Sequence, residues 1–184
     1  QKGIARGIFS NEAGLGTGSI AHACADTDDP VNQGYFGIFE VFMDTIVICT
    51  LTALVILVSG ISVNYGGAAG AELTINGFVS VYGKWVTLVT AVAICSFALT
   101  TTLGWGFYGS RCIGFVFGHW AVRPFLVVYA LSAIPGATID LGLIWDFADT
   151  LNGCMAVPNL IALALLSGKL VEICREHKAD ERGA

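Results

Sequence analysis

The chain has 184 residues, of which 55% are hydrophobic and only 12% charged, about half the charged share of an ordinary soluble domain. So little polar surface cannot cover a water-soluble fold, and lipid must cover part of it. The net charge of -5, with no basic stripe, excludes a nucleic-acid partner.

The chain opens on Gln1 and carries no basic, apolar and cleavage-site run of a signal peptide. It reads as a piece of a longer chain. The first segment, 1–34, is dense in glycine and polar residues from Arg6 to Gly16. No GK[ST] follows and the glycine spacing does not match GxGxxG, so a nucleotide loop is not indicated. The segment predicts a helix end, a tight bend and a short helix from about Ser19 to Ala25. Asp29-Pro30 ends that piece, and Gly34 leads on. His22 is a lone histidine there and reads as a surface residue.

A spanning helix needs about 20 mainly apolar residues, and four stretches qualify. The predicted order is span 35–60, loop 61–84, span 85–108, loop 109–122, span 123–139, turn 140–144, span 145–170 and tail 171–184. The third span is short and holds Pro135-Gly136 near its end; Arg123 can extend it by reaching the interface. The fourth has Asp146 and Asp149 in its first turns and Pro158 inside. Gly66, Gly67 and Gly70 break the 61–84 loop, which is either one or two short helices lying over a mouth or a flexible connection. Lys2, Arg6, Arg111, Arg123, Lys169, Arg175, Lys178 and Arg182 fall on one side of this arrangement, and Lys84 on the other. The positive-inside rule then sets both ends in the cytoplasm, in the cell membrane. Six scattered cysteines without a CxxC pair behave as small hydrophobes.

Charge inside a bilayer is costly unless paired or hydrated. Glu40 and Asp44 stand four apart in the first span and share a face. They point either to a hydrated path or cationic partner, or to an interfacial Glu40 with Asp44 held by a neighbouring helix. In the second span Thr100, Thr101 and Thr102 precede Gly104 and Trp105. Thr101 and Trp105, at i and i+4, give one face a hydroxyl, a gap and an aromatic wall. That set suits a small polar solute, and hydroxyl oxygen suits sodium, a hard cation. Equally, threonines can bond back to their own helix and glycines can serve tight packing.

The run RGIFSNEAGLGTGSIAHACA, from Arg6 to Ala25, resembles the signature RGxFSNEAGxGSxxxAHAAA of the alanine-or-glycine:cation symporters. FMDTIVICTLTALVILVSG from Phe42, TTLGW from Thr101 and WDFADTLNGCMAVPNLIAL from Trp145 follow in the family's order. The resemblance covers essentially the whole chain. It implies an all-α integral membrane protein, the C-terminal part of a transporter with ten core helices in two inverted repeats, of the amino acid–polyamine–organocation type. This chain would hold core helices seven to ten, and the N-terminal helices of the same transporter would be its partners. The function implied is sodium-coupled symport of alanine or glycine, with sodium as coupling ion, no other cofactor and no enzymatic chemistry. Thr100 and Thr101 would offer oxygen to sodium, and Thr101 and Trp105 would border the substrate. Arg6, Asn11 and Glu12 would lie near an inner gate, with Asp44 on the pathway. Thr17-Gly18-Ser19, Asn32 and Ser110 depart from the family's usual residues, which bears on gating more than on substrate. Other readings are an inactive fragment, or a channel or enzyme subunit without ion coupling.

Overall fold

A computed structural model of the chain describes residues 2–63 and 70–183. No strand occurs among them. The helices are α1 (Lys2–Asn11), α2 (Thr17–His22), α3 (Pro30–Phe42), α4 (Cys49–Val58), α5 (Ala71–Tyr82), α6 (Val86–Phe117), α7 (Val122–Leu131), α8 (Ala133–Gly136) and α9 (Leu141–Gly183). A π-helical turn, Met43–Ile48, joins α3 to α4. Three stretches, Pro30–Val58, Val86–Phe117 and Gly142–Ala179, are long and apolar enough to cross a membrane. Gly66 and Gly67 of the expected loop lie outside the described residues; α5 occupies Ala71–Tyr82 of it.

Local chemistry explains where the helices differ from the expected bounds. Asp29-Pro30 starts a helix rather than ending one. The Asp29 carboxylate accepts from Val31 N at 2.9 Å and Asn32 N at 3.3 Å, and proline suits a first helical turn because its missing N–H is not needed there. The first span therefore begins at Pro30, ahead of Tyr35. α6 continues past Tyr108 into the expected loop, because nothing breaks it before Gly118 at φ 88. Arg111 stays on that helix with its guanidinium 4.9 Å from the Phe107 ring. The stretch 123–139 holds α7 and the single turn α8, each short of a bilayer's thickness by itself. Pro135 has no N–H to offer the Leu131 carbonyl, and the break falls at Ser132.

The chain divides into two compact units, Gln1–Thr45 with Leu143–Ala184, and Ile46–Gly142. In the second unit α4 packs on α5 across Gly77, where an added Cβ would meet Val55 Cγ1 at 3.3 Å and Ser59 Oγ at 3.4 Å. α7 packs on α6 through two rings. Phe125 and Tyr129 stack 5.8 Å apart and fill the notch left by Gly106 and Gly109. The Tyr129 hydroxyl donates to the Thr102 carbonyl at 2.9 Å.

In the first unit α9 carries the other elements along its length. Asp149 meets α1 near its start, Asn159 meets the loop before α2, and His177 meets Asp29 at 3.2 Å. Among the described residues, Leu15 and Val86 are the buried hydrophobic side chains, while Phe115 is 92% and Leu165 81% exposed. A soluble domain hides most such groups in a core. These helices present them outward, as a multi-pass membrane protein does to lipid and to neighbouring helices.

Candidate functional site

One group of polar residues in the first unit converges on α1. On a helix, positions three and four apart share a face, so Arg6, Phe9 and Ser10 point the same way. Arg6 Nη1 donates to Asp149 Oδ1 at 2.7 Å, and its guanidinium lies 3.7 Å from the centre of the Trp145 ring. Phe9 meets the same indole edge-on at 5.5 Å. The charge is thus held between a carboxylate and a π face, both from the first turns of α9. Pairing of this kind keeps an ion tolerable where water is scarce.

One turn further along α1, Ser10 Oγ donates to Asp44 Oδ2 at 2.8 Å, and Asn11 Nδ2 donates to Thr45 Oγ1 at 3.0 Å. Asp44 and Thr45 are the polar side chains of the π turn. α1 ends at Asn11; Glu12 follows with φ 54, a left-handed conformation uncommon for a residue with a Cβ. The Asn11 side chain closes the bend by accepting from Ala13 N at 2.9 Å, and Leu15 N donates to the Glu12 carbonyl at 3.1 Å. Past the bend, Asn159 Nδ2 donates to the Gly14 carbonyl at 2.9 Å. Gly16 has φ 87, and a Cβ there would sit 2.8 Å from Asn159 Oδ1. Both facts require glycine at that position. Thr17, 3% exposed, keeps its hydroxyl without a hydrogen-bond partner.

Of the residues expected at a gate, Arg6, Asn11 and Asp44 are brought into this one cluster, and Glu12 supplies its bend. Glu40 and Asp44 do not act together. Asp44 is held by α1, while Glu40 Oε2 lies 3.2 Å from His22 Nε2. His22 is half-buried rather than a free surface residue, with Gln33 Nε2 2.8 Å from its other ring nitrogen. Asp149, Trp145, Ser10, Thr45 and Asn159 were not foreseen. One signal was available for Asp149: an arginine beside apolar spans needs a counter-charge, and the start of the last span offers Asp146 and Asp149.

The hydroxyl and indole of α6 belong to the second unit. Thr100 Oγ1 donates to the Phe97 carbonyl at 3.0 Å, and Thr102 Oγ1 to the Ala98 carbonyl at 2.7 Å. Each hydroxyl still has lone pairs to offer. Thr101 is exposed. Trp105 is half-buried, with the Tyr108 ring 6.1 Å away, edge-on. Trp105 stands at i and i+4 with Gly109 and so borders the α7 seat, whereas Thr101 sits roughly 80–140° round the helix from Gly109 and Gly106.

The sodium:alanine symporter family model matches residues 1–183. The sodium/alanine symporter AgcS of Methanococcus maripaludis is 44% identical over 171 residues, 92% of this chain and 38% of that protein. An uncharacterized transporter of Haemophilus influenzae is 42% identical over 96% of this chain and 39% of its own length. The probable sodium/glutamine symporter GlnT of Bacillus subtilis is 38% identical over 98% of this chain and 38% of its own length. The chain thus spans about two-fifths of the length of these relatives. No solved structure matches it.

Proposed function

Since the chain belongs to the sodium:alanine symporter family, we propose that it forms part of a secondary active transporter in which a sodium gradient drives uptake of alanine or glycine. The family match along nearly the whole chain carries this reading. Its architecture is the C-terminal part, core helices seven to ten, of a ten-core-helix inverted-repeat transporter, multi-pass in the cell membrane, with both ends of this segment cytoplasmic. The N-terminal helices of the same transporter complete it.

Thr100 and Thr101 supply hydroxyl oxygen to sodium, whose small hard charge needs oxygen and no specific geometry from a thiol or imidazole. Thr101 and Trp105 border the solute: a hydroxyl for its charged end, an indole as a wall over its small side chain. Arg6, Asn11, Glu12 and Asp44 act at the inner gate. Ion and solute bind one state of the gate better than the other, and only that difference in affinity can move the equilibrium.

The test is uptake by the full-length transporter in proteoliposomes, driven by sodium. Thr101→Ala and Trp105→Ala lower sodium-dependent alanine uptake at least about tenfold, the weight of one or two lost polar contacts, with insertion unchanged. Uptake with unaltered affinity for alanine and sodium rejects the site. A second substrate reading follows from the relative named a probable sodium/glutamine symporter. Glutamine is therefore measured beside alanine and glycine, and a preference for it moves the substrate without moving the coupling.

A further inference from the structure

We propose that the π turn Met43–Ile48 is a two-state element of the transport cycle, latched by α1, and that Ser10 and Thr45 are positioning residues for it. The proposal rests on the transport reading above.

A π turn is rare and is often found at functional sites. Bends and irregular turns usually trace to proline, glycine or an inserted group. The segment Met43-Asp44-Thr45-Ile46-Val47-Ile48 has neither proline nor glycine. Its two polar side chains, Asp44 and Thr45, are adjacent in sequence, and both bond to adjacent residues at the end of α1. Neighbouring positions on an α-helix point roughly 100° apart, too far to face one partner together. The wider π turn narrows that angle and lets both reach α1. The widening is therefore held from outside, by two hydrogen bonds.

α1 is in turn fixed by Arg6 to Asp149 and Trp145 on α9. Within the first unit it is a strap from α9 to the π turn. Release of Ser10 and Asn11 lets the turn relax toward α geometry, with a register change of about one residue. A few side-chain bonds at one end of a helix thus govern two discrete backbone states, which is the form a gating element takes.

The test uses the purified full-length transporter and two readouts. The first is amide hydrogen exchange across residues 39–49, which does not depend on transport. The second is sodium-driven alanine uptake, separated into maximal rate and KM. Ser10→Ala and Asp44→Ala each speed exchange in the turn about five- to tenfold, the size of one hydrogen bond. The double variant speeds it no further, because both changes remove the same bond. Asn11→Ala and Thr45→Val behave alike as a second pair, so the proposal stays testable if the first variants fold poorly. Ser10→Thr, which keeps the hydroxyl, restores wild-type exchange. Maximal uptake changes in the latch variants while KM for alanine holds.

Unchanged exchange in both pairs, or additive effects in the doubles, overturns the latch. A wild-type protein that takes up no amino acid with sodium overturns the transport reading instead, and the exchange result still judges whether α1 holds the turn.

Discussion

At the scale of single residues, the contact most sensitive to volume is the one between Gly109 and Phe125. A Cβ at Gly109 would overlap the ring tip, whereas one at Gly104 meets nothing closer than the Tyr108 hydroxyl at 4.0 Å. Gly109→Ala should cost about 1–3 kcal/mol as the ring is forced aside. Gly104→Ala should be neutral or stabilising by up to about 1 kcal/mol, from helix propensity alone. Thermal unfolding of the two variants of the full-length protein in detergent distinguishes them; equal losses would mean the notch is not what seats α7. Such contacts are hard to read from a sequence. Gly104, Gly106 and Gly109 look alike on paper, and only the position of α7 tells them apart. Arg6 and Asp149 are 143 positions apart, so their pairing follows from chain topology rather than from local pattern. The hydroxyl-and-indole face of α6, by contrast, is legible at once, because i and i+4 spacing fixes it on any helix.

At the scale of elements, most helices were legible because apolar length decides them, and their ends were less so. Asp29-Pro30 is a signal that serves equally to stop one helix or to start the next. The capping bonds from Val31 and Asn32 decide for the start. Asp29→Ala should therefore cost about 0.5–2 kcal/mol by loss of the cap, and it also removes the contact to His177. Asp29→Asn keeps an acceptor at the cap and should lose only a few tenths of a kcal/mol. Circular dichroism melts of the full-length variants check this; a large loss in the Asn variant would transfer the weight to the His177 pair. The π turn gave no warning, since its residues are those of an ordinary apolar helix. It is imposed by side chains of α1, and propensity has no means of recording a partner. Pro135 was visible, but its effect depends on which carbonyl it leaves unmatched.

At the scale of the whole molecule, composition alone told the membrane class, while the number of crossings depends on how α7 and α8 are used. If they cross together, as the positive-inside pattern predicts, the tail after Leu170 and the loop near Gly118 lie on the same face of the membrane. Fusing alkaline phosphatase or a fluorescent protein to each position in the full-length protein settles it. Fluorescence at both sites and phosphatase activity at neither is the expected outcome; phosphatase activity at the tail alone would show that α7 and α8 do not cross. The scarcity of buried side chains has a calorimetric consequence. Heat capacity rises on unfolding because apolar groups meet water. Here Leu15 and Val86 are the hydrophobic residues hidden among those described, and a micelle shields the others whether the helices are assembled or apart. Heating this segment in detergent should pass with scarcely a step in the baseline, and its cohesion will be found in helix-to-helix fit rather than in the expulsion of solvent.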